Sequence, residues 1–198
     1  LVNSAISNLM SKQIGLAGFI AETFPSVAGQ IIPPEGYLKN IYQHIREAGG
    51  LCVADEVQTG LGRLGEYYFG FEQQEVEPDI VVLGKPIGNG HPIGVVITSK
   101  EIAASFAKGP EFFSTFGGST LSCLIGREVL EIIDEEHLQR NASIMGKKLL
   151  TGLKEMQNKF SQIGDVRGMG LFCGVDLVKD RDSHEEDHEL CSYIKNRM

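Results

Sequence analysis

No run in the 198 residues stays apolar for the roughly 20 positions that a helix needs to cross a bilayer, so no membrane span is expected. No basic segment followed by an apolar one opens the chain, so no secretory signal is expected either. Cysteine is sparse. Cys52, Cys123, Cys173 and Cys191 lie far apart and form no C-x-x-C pair, which argues against a zinc site or a disulfide framework. Free thiols in a reducing, intracellular compartment are the expectation. Basic charge is in deficit, with 18 Lys plus Arg against 26 Asp plus Glu and a net charge of −8. A nucleic-acid partner would need a net basic face, so none is expected. Neither half is a charged tail: residues 1–100 carry 6 basic and 10 acidic side chains, and residues 101–198 carry 12 and 16. What remains is an ordinary globular composition, 42% hydrophobic and 22% charged, without repeats or low-complexity tracts.

The apolar residues come in two patterns. Short runs bounded by turn residues read as strands: 16–21, 51–54, 80–83 and 93–97. Their near-continuous apolar character suits a mostly parallel sheet covered on both faces. Between the first two, Tyr37, Leu38, Ile41, Tyr42 and Ile45 share one helical face, and Ala48-Gly49-Gly50 provides the stop. Strand, helix and strand make a right-handed crossover. The second half reads as helices over 119–134 and 136–159, the first with a stripe of Leu121, Leu124, Ile125, Val129, Ile132 and Ile133. A strand pair follows at 165–166 and 171–178, interrupted by Arg167-Gly168-Met169-Gly170. A last helix is expected over 184–197, with Ser183 and Glu186 as a capping box. The fold class is therefore α/β, with an α/β large domain over residues 1–112 and a small α+β domain over 113–198.

Asp55 ends one apolar strand and Lys85 follows another by two positions. Ligands of open α/β sheets collect outside the carboxyl ends of strands, so both side chains would point into one crevice. An amine and an acid held that way suit pyridoxal phosphate: the amine forms the Schiff base, and the carboxylate keeps the pyridine nitrogen protonated. On spacing alone the favoured reading is that Asp55 caps the following helix and Lys85 is a surface amine. The run Gly84-Lys85-Pro86-Ile87-Gly88-Asn89-Gly90 favours a site, because it is too rich in turn residues for an ordinary strand exit. It is not a P-loop, since Lys85 precedes most of its glycines.

Ala54-Asp55-Glu56-Val57-Gln58-Thr59-Gly60-Leu61-Gly62-Arg63-Leu64-Gly65, continuing through Pro78-Asp79-Ile80 to Gly84-Lys85, resembles the signature of class III pyridoxal-phosphate-dependent aminotransferases of fold type I. Phe113-Ser114-Thr115-Phe116-Gly117-Gly118 and Val166-Arg167-Gly168-Met169-Gly170-Leu171 match as well, in the same order. The stretches 84–94 and 164–180 are most similar to the alanine–glyoxylate aminotransferase 2-like branch, which includes phospho-lyases acting on ethanolamine phosphate and phosphohydroxylysine. The resemblance implies an aminotransferase (transaminase) moving an amino group from an amine or amino acid to a 2-oxo acid. It implies that Lys85 is the Schiff-base lysine and the amine that moves the proton. By the same resemblance Asp55 is the pyridinium partner and Gln58 bonds the cofactor's phenolic oxygen. Thr115 would serve the cofactor phosphate of the neighbouring subunit, which requires a homodimer with shared active sites. Arg167 would grip a substrate carboxylate, and Glu22 would lie near the cofactor's edge on the substrate side.

The chain departs from that pattern in places. Thr23 replaces the usual proline after Glu22, and Val27 stands where several ω-aminotransferases place a glutamate that masks the arginine. Arg167 is thus expected to lack a carboxylate gate. Residues 1–15 resemble neither the phosphate-cradling turn nor the stacking aromatic of the family. The chain also begins at Leu1, so a C-terminal portion of a longer enzyme is expected, weak in cofactor binding and activity by itself. Two rival functions share this reading of the residues. One is a phospho-lyase that eliminates phosphate and ammonia from a phosphorylated amine; the other is an inactive, truncated paralogue acting as an interaction module. His184-Glu185-Glu186-Asp187-His188 matches H-E-x-x-H, but no third ligand is well spaced after it, and a solvated helix start is expected in place of a metal site. The compartment is expected to be the cytoplasm or the mitochondrion.

Overall fold

The computed structural model describes residues 1–198. Its elements are α1 (Val2–Ser11), β1 (Gly18–Glu22), α2 (Tyr37–Glu47), β2 (Leu51–Asp55), β3 (Ile80–Leu83), β4 (Val95–Thr98), α3 (Lys100–Phe106), α4 (Thr120–Glu135), α5 (Leu138–Lys159), β5 (Ile163–Met169), β6 (Phe172–Asp180), β7 (Glu185–Glu186) and α6 (His188–Arg197). Single 3₁₀ turns occupy Gly70–Gln74 and Lys85–Ile87.

The apolar face of α2 explains the first half. Leu38, Ile41, Tyr42 and Ile45 are buried with Cys52 of β2, so the helix packs on the sheet as a crossover between parallel strands β1 and β2. Its start is set by Gly36 in the left-handed region, φ 75°, and by a distant side chain. Gln74, almost fully buried, accepts from the Leu38 amide at 3.0 Å and donates to the Pro34 carbonyl at 3.1 Å. One orphan helix-end donor is thereby satisfied from 36 residues away.

The strands run β1-β2-β3-β4, and β1, β2 and β3 are parallel. Strand β4 pairs antiparallel with β3, which departs from a parallel run through 93–97. Residues 84–94 carry only a 3₁₀ turn, too little chain for the helical crossover that a parallel neighbour requires. Coverage on both faces is also not found. Ile20 and Val96 are exposed, while Cys52, Ala54, Val81 and Leu83 are buried, the alternation of a sheet with one packed face.

Helix α4 covers the second part of the core, where Ile133 packs with Leu61, Val81, Leu83 and Ile87. Only the C-terminal end of the expected stripe takes part. Leu121 and Leu124, near its start, are exposed. Strands β5 and β6 form an antiparallel hairpin with a register shift between Ile163 and Asp165 and an unbroken register beyond it, which pairs Arg167 with Gly174 and Met169 with Phe172. The glycines around Arg167 therefore do not interrupt the strand. They continue it to the Gly170-Leu171 turn. Gly170 has φ 55°, and a Cβ there would lie 2.4 Å from the Leu64 carbonyl carbon. Its bare backbone lets the turn dock on the loop after β2, where the Leu171 amide donates to the Arg63 carbonyl at 3.0 Å. Phe24, Leu64 and Phe172 close the contact between the two sheets, with the phenylalanine rings edge to face at 5.9 Å.

The C-terminal helix is shorter than 184–197. His184 sits in a turn with φ 54°, Glu185–Glu186 pairs with β6, and Asp187 is the actual N-cap, accepting from the Leu190 amide at 2.8 Å. Asp187 outcompetes Ser183 because β7 takes up the residues between them. The two histidines of H-E-x-x-H therefore do not share a helix. No helix is long and apolar enough to cross a membrane.

Candidate functional site

Three carboxyl ends of parallel strands lie side by side. The register aligns Glu22 of β1 with Asp55 of β2, and Asp55 with Val82 of β3. Lys85 stands three residues beyond Val82, so the acid and the amine emerge from neighbouring strand ends on the same edge of the sheet. This is the crevice in which open α/β sheets hold ligands. Asp55 Oδ1 accepts from the Val57 amide at 3.0 Å, which fixes the carboxylate at the strand exit.

Lys85 has φ 38°, a left-handed conformation that costs a non-glycine residue roughly 1–2 kcal/mol. The 3₁₀ turn over-determines it, with Ile87 and Gly88 amides donating to the Gly84 and Lys85 carbonyls at 3.2 Å each. Backbone outliers held in this way concentrate at functional sites. The side chain is exposed and has no hydrogen-bond or ion-pair partner. It lines a cleft of about 370 Å³ together with Gln58, Ser26, Gln30 and Arg63, and with Leu171 to Cys173 from the hairpin turn. Gln58 and Lys85 are thus brought together, and Asp55 lies beside them on β2 without itself lining that cleft. The Cys173 thiol, half-buried on the opposite wall, is pushed up from its ordinary value by burial. Arg63 has no carboxylate partner.

Behind Asp55, Glu56 points the other way into the protein and is fully buried. It accepts from the Thr59 hydroxyl at 2.6 Å and from the Gly70 and Phe71 amides at 2.9 and 3.0 Å. Burial raises its value from the carboxylate norm, and those donors partly offset the rise. The carboxylate ties the loop bearing Gln58 to the turn at Gly70. Sequence reasoning missed it; the available signal was strand alternation, which turns Glu56 inward when Asp55 faces the crevice.

Glu22 accepts from the Ser26 amide at 2.7 Å and from the Ser26 hydroxyl, so it caps the loop after β1. Thr115 is exposed in the segment between α3 and α4, away from the Lys85 cleft. It is flanked by Phe113 and Phe116, which are 82% and 85% exposed.

Arg167 does not line the cleft of Lys85. It faces a second cleft, lined by Val27, Ala28 and Gly29 on one side and by Asp165 and Asp176 on the other. Its guanidinium donates through Nη1 to Asp165 and Asp176 at 2.7 Å each, and through Nη2 to Asp176 at 2.8 Å. Nε donates to the Gly29 carbonyl at 2.8 Å, and Nη2 donates to the same oxygen. All five N–H donors of the side chain are used. The carboxylates hold the guanidinium well above even its usual range, the Asp176 hydrogen bond contributing most. Val27 supplies no carboxylate to Arg167, as expected from its side chain, but Asp165 and Asp176 pair with the guanidinium in its place. Asp165 was legible as the i, i+2 neighbour on one strand face, whereas Asp176 needed the hairpin register.

The model of the family described as aminotransferase class-III matches residues 2–197, and the chain belongs to that family. A relative named alanine–glyoxylate aminotransferase 2-like, from Drosophila melanogaster, is 48% identical over 190 residues, covering 96% of this chain. Among solved structures, a phospholyase from Arthrobacter in complex with phosphoethanolamine superimposes with a TM-score of 0.89 at 37% identity over 94% of this chain. An amine transaminase from an uncultivated Pseudomonas species, described in its PLP-bound form, gives 0.85 at 31% identity over 96%. The fold is that of the fold type I aminotransferases, present in part. The chain spans 38% of the fly relative, 44% of the phospholyase and 44% of the amine transaminase.

Proposed function

We propose that this chain carries the lysine side of a pyridoxal phosphate site, in an enzyme that moves an amino group from an amine or amino acid to a 2-oxo acid. One observation carries the reading: Lys85 and Asp55 emerge from adjacent parallel strand ends on one edge of the sheet, and Gln58 lines the same cleft as Lys85. The donor set fits the group, since a partnerless amine, a fixed carboxylate and an amide meet its aldehyde, its ring nitrogen and its phenolic oxygen. When bound, the cofactor supplies an electron sink that acidifies the substrate Cα–H.

In this reading Lys85 Nζ would hold the cofactor at its aldehyde carbon, and the same amine would move the proton from the substrate Cα. Asp55 would orient the ring and hold its nitrogen proton. Its own geometry is preset by the Val57 amide. Gln58 would donate to the phenolic oxygen. The hairpin turn, with Phe172 buried behind it, helps exclude water from this side of the cleft. Thr115 serves a neighbouring subunit, so the enzyme is a homodimer; its exposure beside Phe113 and Phe116 supports a surface that a second copy covers. A division into domains at 112/113 and a cytoplasmic or mitochondrial location belong to the same reading, and the substrates are small molecules.

A second reading keeps the cofactor and ends in elimination. The similarity to a phospholyase in complex with phosphoethanolamine favours it. After the same proton leaves Cα, phosphate departs from the next carbon, and water completes release of ammonia and an aldehyde. Incubating the holoenzyme with phosphoethanolamine and a 2-oxo acid separates the two. Amino-acid formation without free phosphate supports transfer, whereas free phosphate with ammonia replaces it by elimination.

A further inference from the structure

We propose that Arg167 is a positioning residue that latches the β5–β6 hairpin to the loop of residues 25–31, and so fixes one wall of the Lys85 cleft without touching substrate. The inference rests on the reading of that cleft as the reaction site.

The loop is a partition between two clefts. Ser26 and Gln30 face the cleft of Lys85, while Val27, Ala28 and Gly29 face that of Arg167. At its root the loop is tied to β1, where Glu22 accepts from the Ser26 amide at 2.7 Å. Internally the Gly29 and Gln30 amides donate to the Ser26 carbonyl at 3.0 Å, and the Ile31 amide donates to the Pro25 carbonyl at 2.9 Å. Its crest is held only from the hairpin: the Gly29 carbonyl accepts two donors of one guanidinium, 138 residues away in sequence.

The guanidinium is held just as firmly from behind. Asp165 lies two residues before Arg167 on the same strand face, and Asp176 is the cross-strand partner of Asp165. The two-pronged pair with Asp176 fixes the plane of the fork as well as its position. Two residues make room for it. Gly29 has φ 121°, and a Cβ there would stand 3.1 Å from Nη2. At Gly174 a Cβ would stand 3.1 Å from the Gly29 carbonyl oxygen. One cation between two carboxylates leaves the cluster with a net negative charge. Together with the absence of a free N–H donor, that charge opposes docking of a substrate carboxylate at Arg167.

The test reads local exchange in this chain and substrate discrimination in the holoenzyme. In Arg167→Met and Asp176→Asn, the Gly29, Gln30 and Ile31 amides exchange about tenfold faster or more, while β2 amides stay within about twofold of wild type. In the holoenzyme, kcat/KM falls by the same factor, about tenfold, for alanine and for an amine lacking a carboxylate. The double variant loses little beyond either single one, because both remove the same latch. Gly29→Ala, which displaces the accepting carbonyl and leaves every charge intact, reproduces the exchange result if Arg167→Met does not fold. Unchanged loop exchange overturns the proposal. So does a loss confined to alanine, which would make Arg167 a direct carboxylate contact. If neither amine turns over in wild type, the functional reading fails instead, and the exchange result still decides the latch.

Discussion

Two cations flank one short loop and have opposite lives. Lys85 stands on a left-handed backbone, exposed and without a partner, at the mouth of the strand-end crevice. Arg167 sits within β5, paired with Gly174, with every donor taken by two aspartates and a carbonyl. Both belong to motifs rich in glycine, and both were candidates for chemistry by sequence. The difference teaches that a motif cation is available for ligands only to the extent that its neighbours leave its donors free. The glycines near Lys85 allow a site, and those near Arg167 allow a close docking of backbones.

The contrast can be pressed hardest at Lys85. Lys85→Ala is expected to lower turnover by a factor on the order of 10³ or more, while unfolding shifts by less than about 1 kcal/mol, since nothing in the fold holds the amine. Steady-state kinetics with a urea titration check both halves. Asp55→Asn is expected to lower kcat/KM by about 10²-fold with stability unchanged, because the amide oxygen still accepts from Val57. A large stability loss there would make Asp55 a structural cap instead.

On the docking side the expected effects appear as stability. Gly170→Ala places a Cβ 2.4 Å from the Leu64 carbonyl carbon and is expected to cost about 1–3 kcal/mol by denaturant unfolding. Glu56→Gln sharpens the comparison between Asp55 and its inward neighbour. The amide must turn a donor toward one of the donors that Glu56 now accepts from, costing about 1–3 kcal/mol. Its pH dependence has a defined sign. A carboxyl whose folded value is raised contributes stability below its ordinary value of 4.5 and loses it as pH rises through the folded value. The gap between wild type and Glu56→Gln should therefore be widest near pH 4 and narrow above it. A gap that widens with pH would mean that Glu56 is held ionised by its three donors.

Much of the first sheet was legible because burial writes itself into short apolar runs. Strands β2 and β3 and the face of α2 follow directly from residues 37–54 and 80–83. The direction of β4 was not legible from its apolar run, which is blind to the neighbour's polarity; the shortness of residues 84–94 carried that information. Helix α1 went unread, although Val2 and Ile6, four apart, pack against the α2 core. Lys85 and Asp55 could be found because strand ends concentrate chemistry, and Gln58 only through the family resemblance; the structure brings them to one edge. The surroundings of Arg167 could not, because Asp176 and the Gly29 carbonyl reach it only through a hairpin register and a loop 138 residues away. Gly168 and Gly170 read as an interruption there, whereas Gly168 stays paired in the pleated hairpin and Gly170 lets the turn dock on the loop after β2.

The account stands on Lys85 as the covalent attachment point of the cofactor. Reducing the pyridoxal-phosphate-loaded protein with borohydride and mapping the modified peptide by mass spectrometry tests this directly. The account predicts a single modified lysine, Lys85, with the adduct absent in Lys85→Ala. An adduct on another lysine, or an equal yield from the variant, would contradict it.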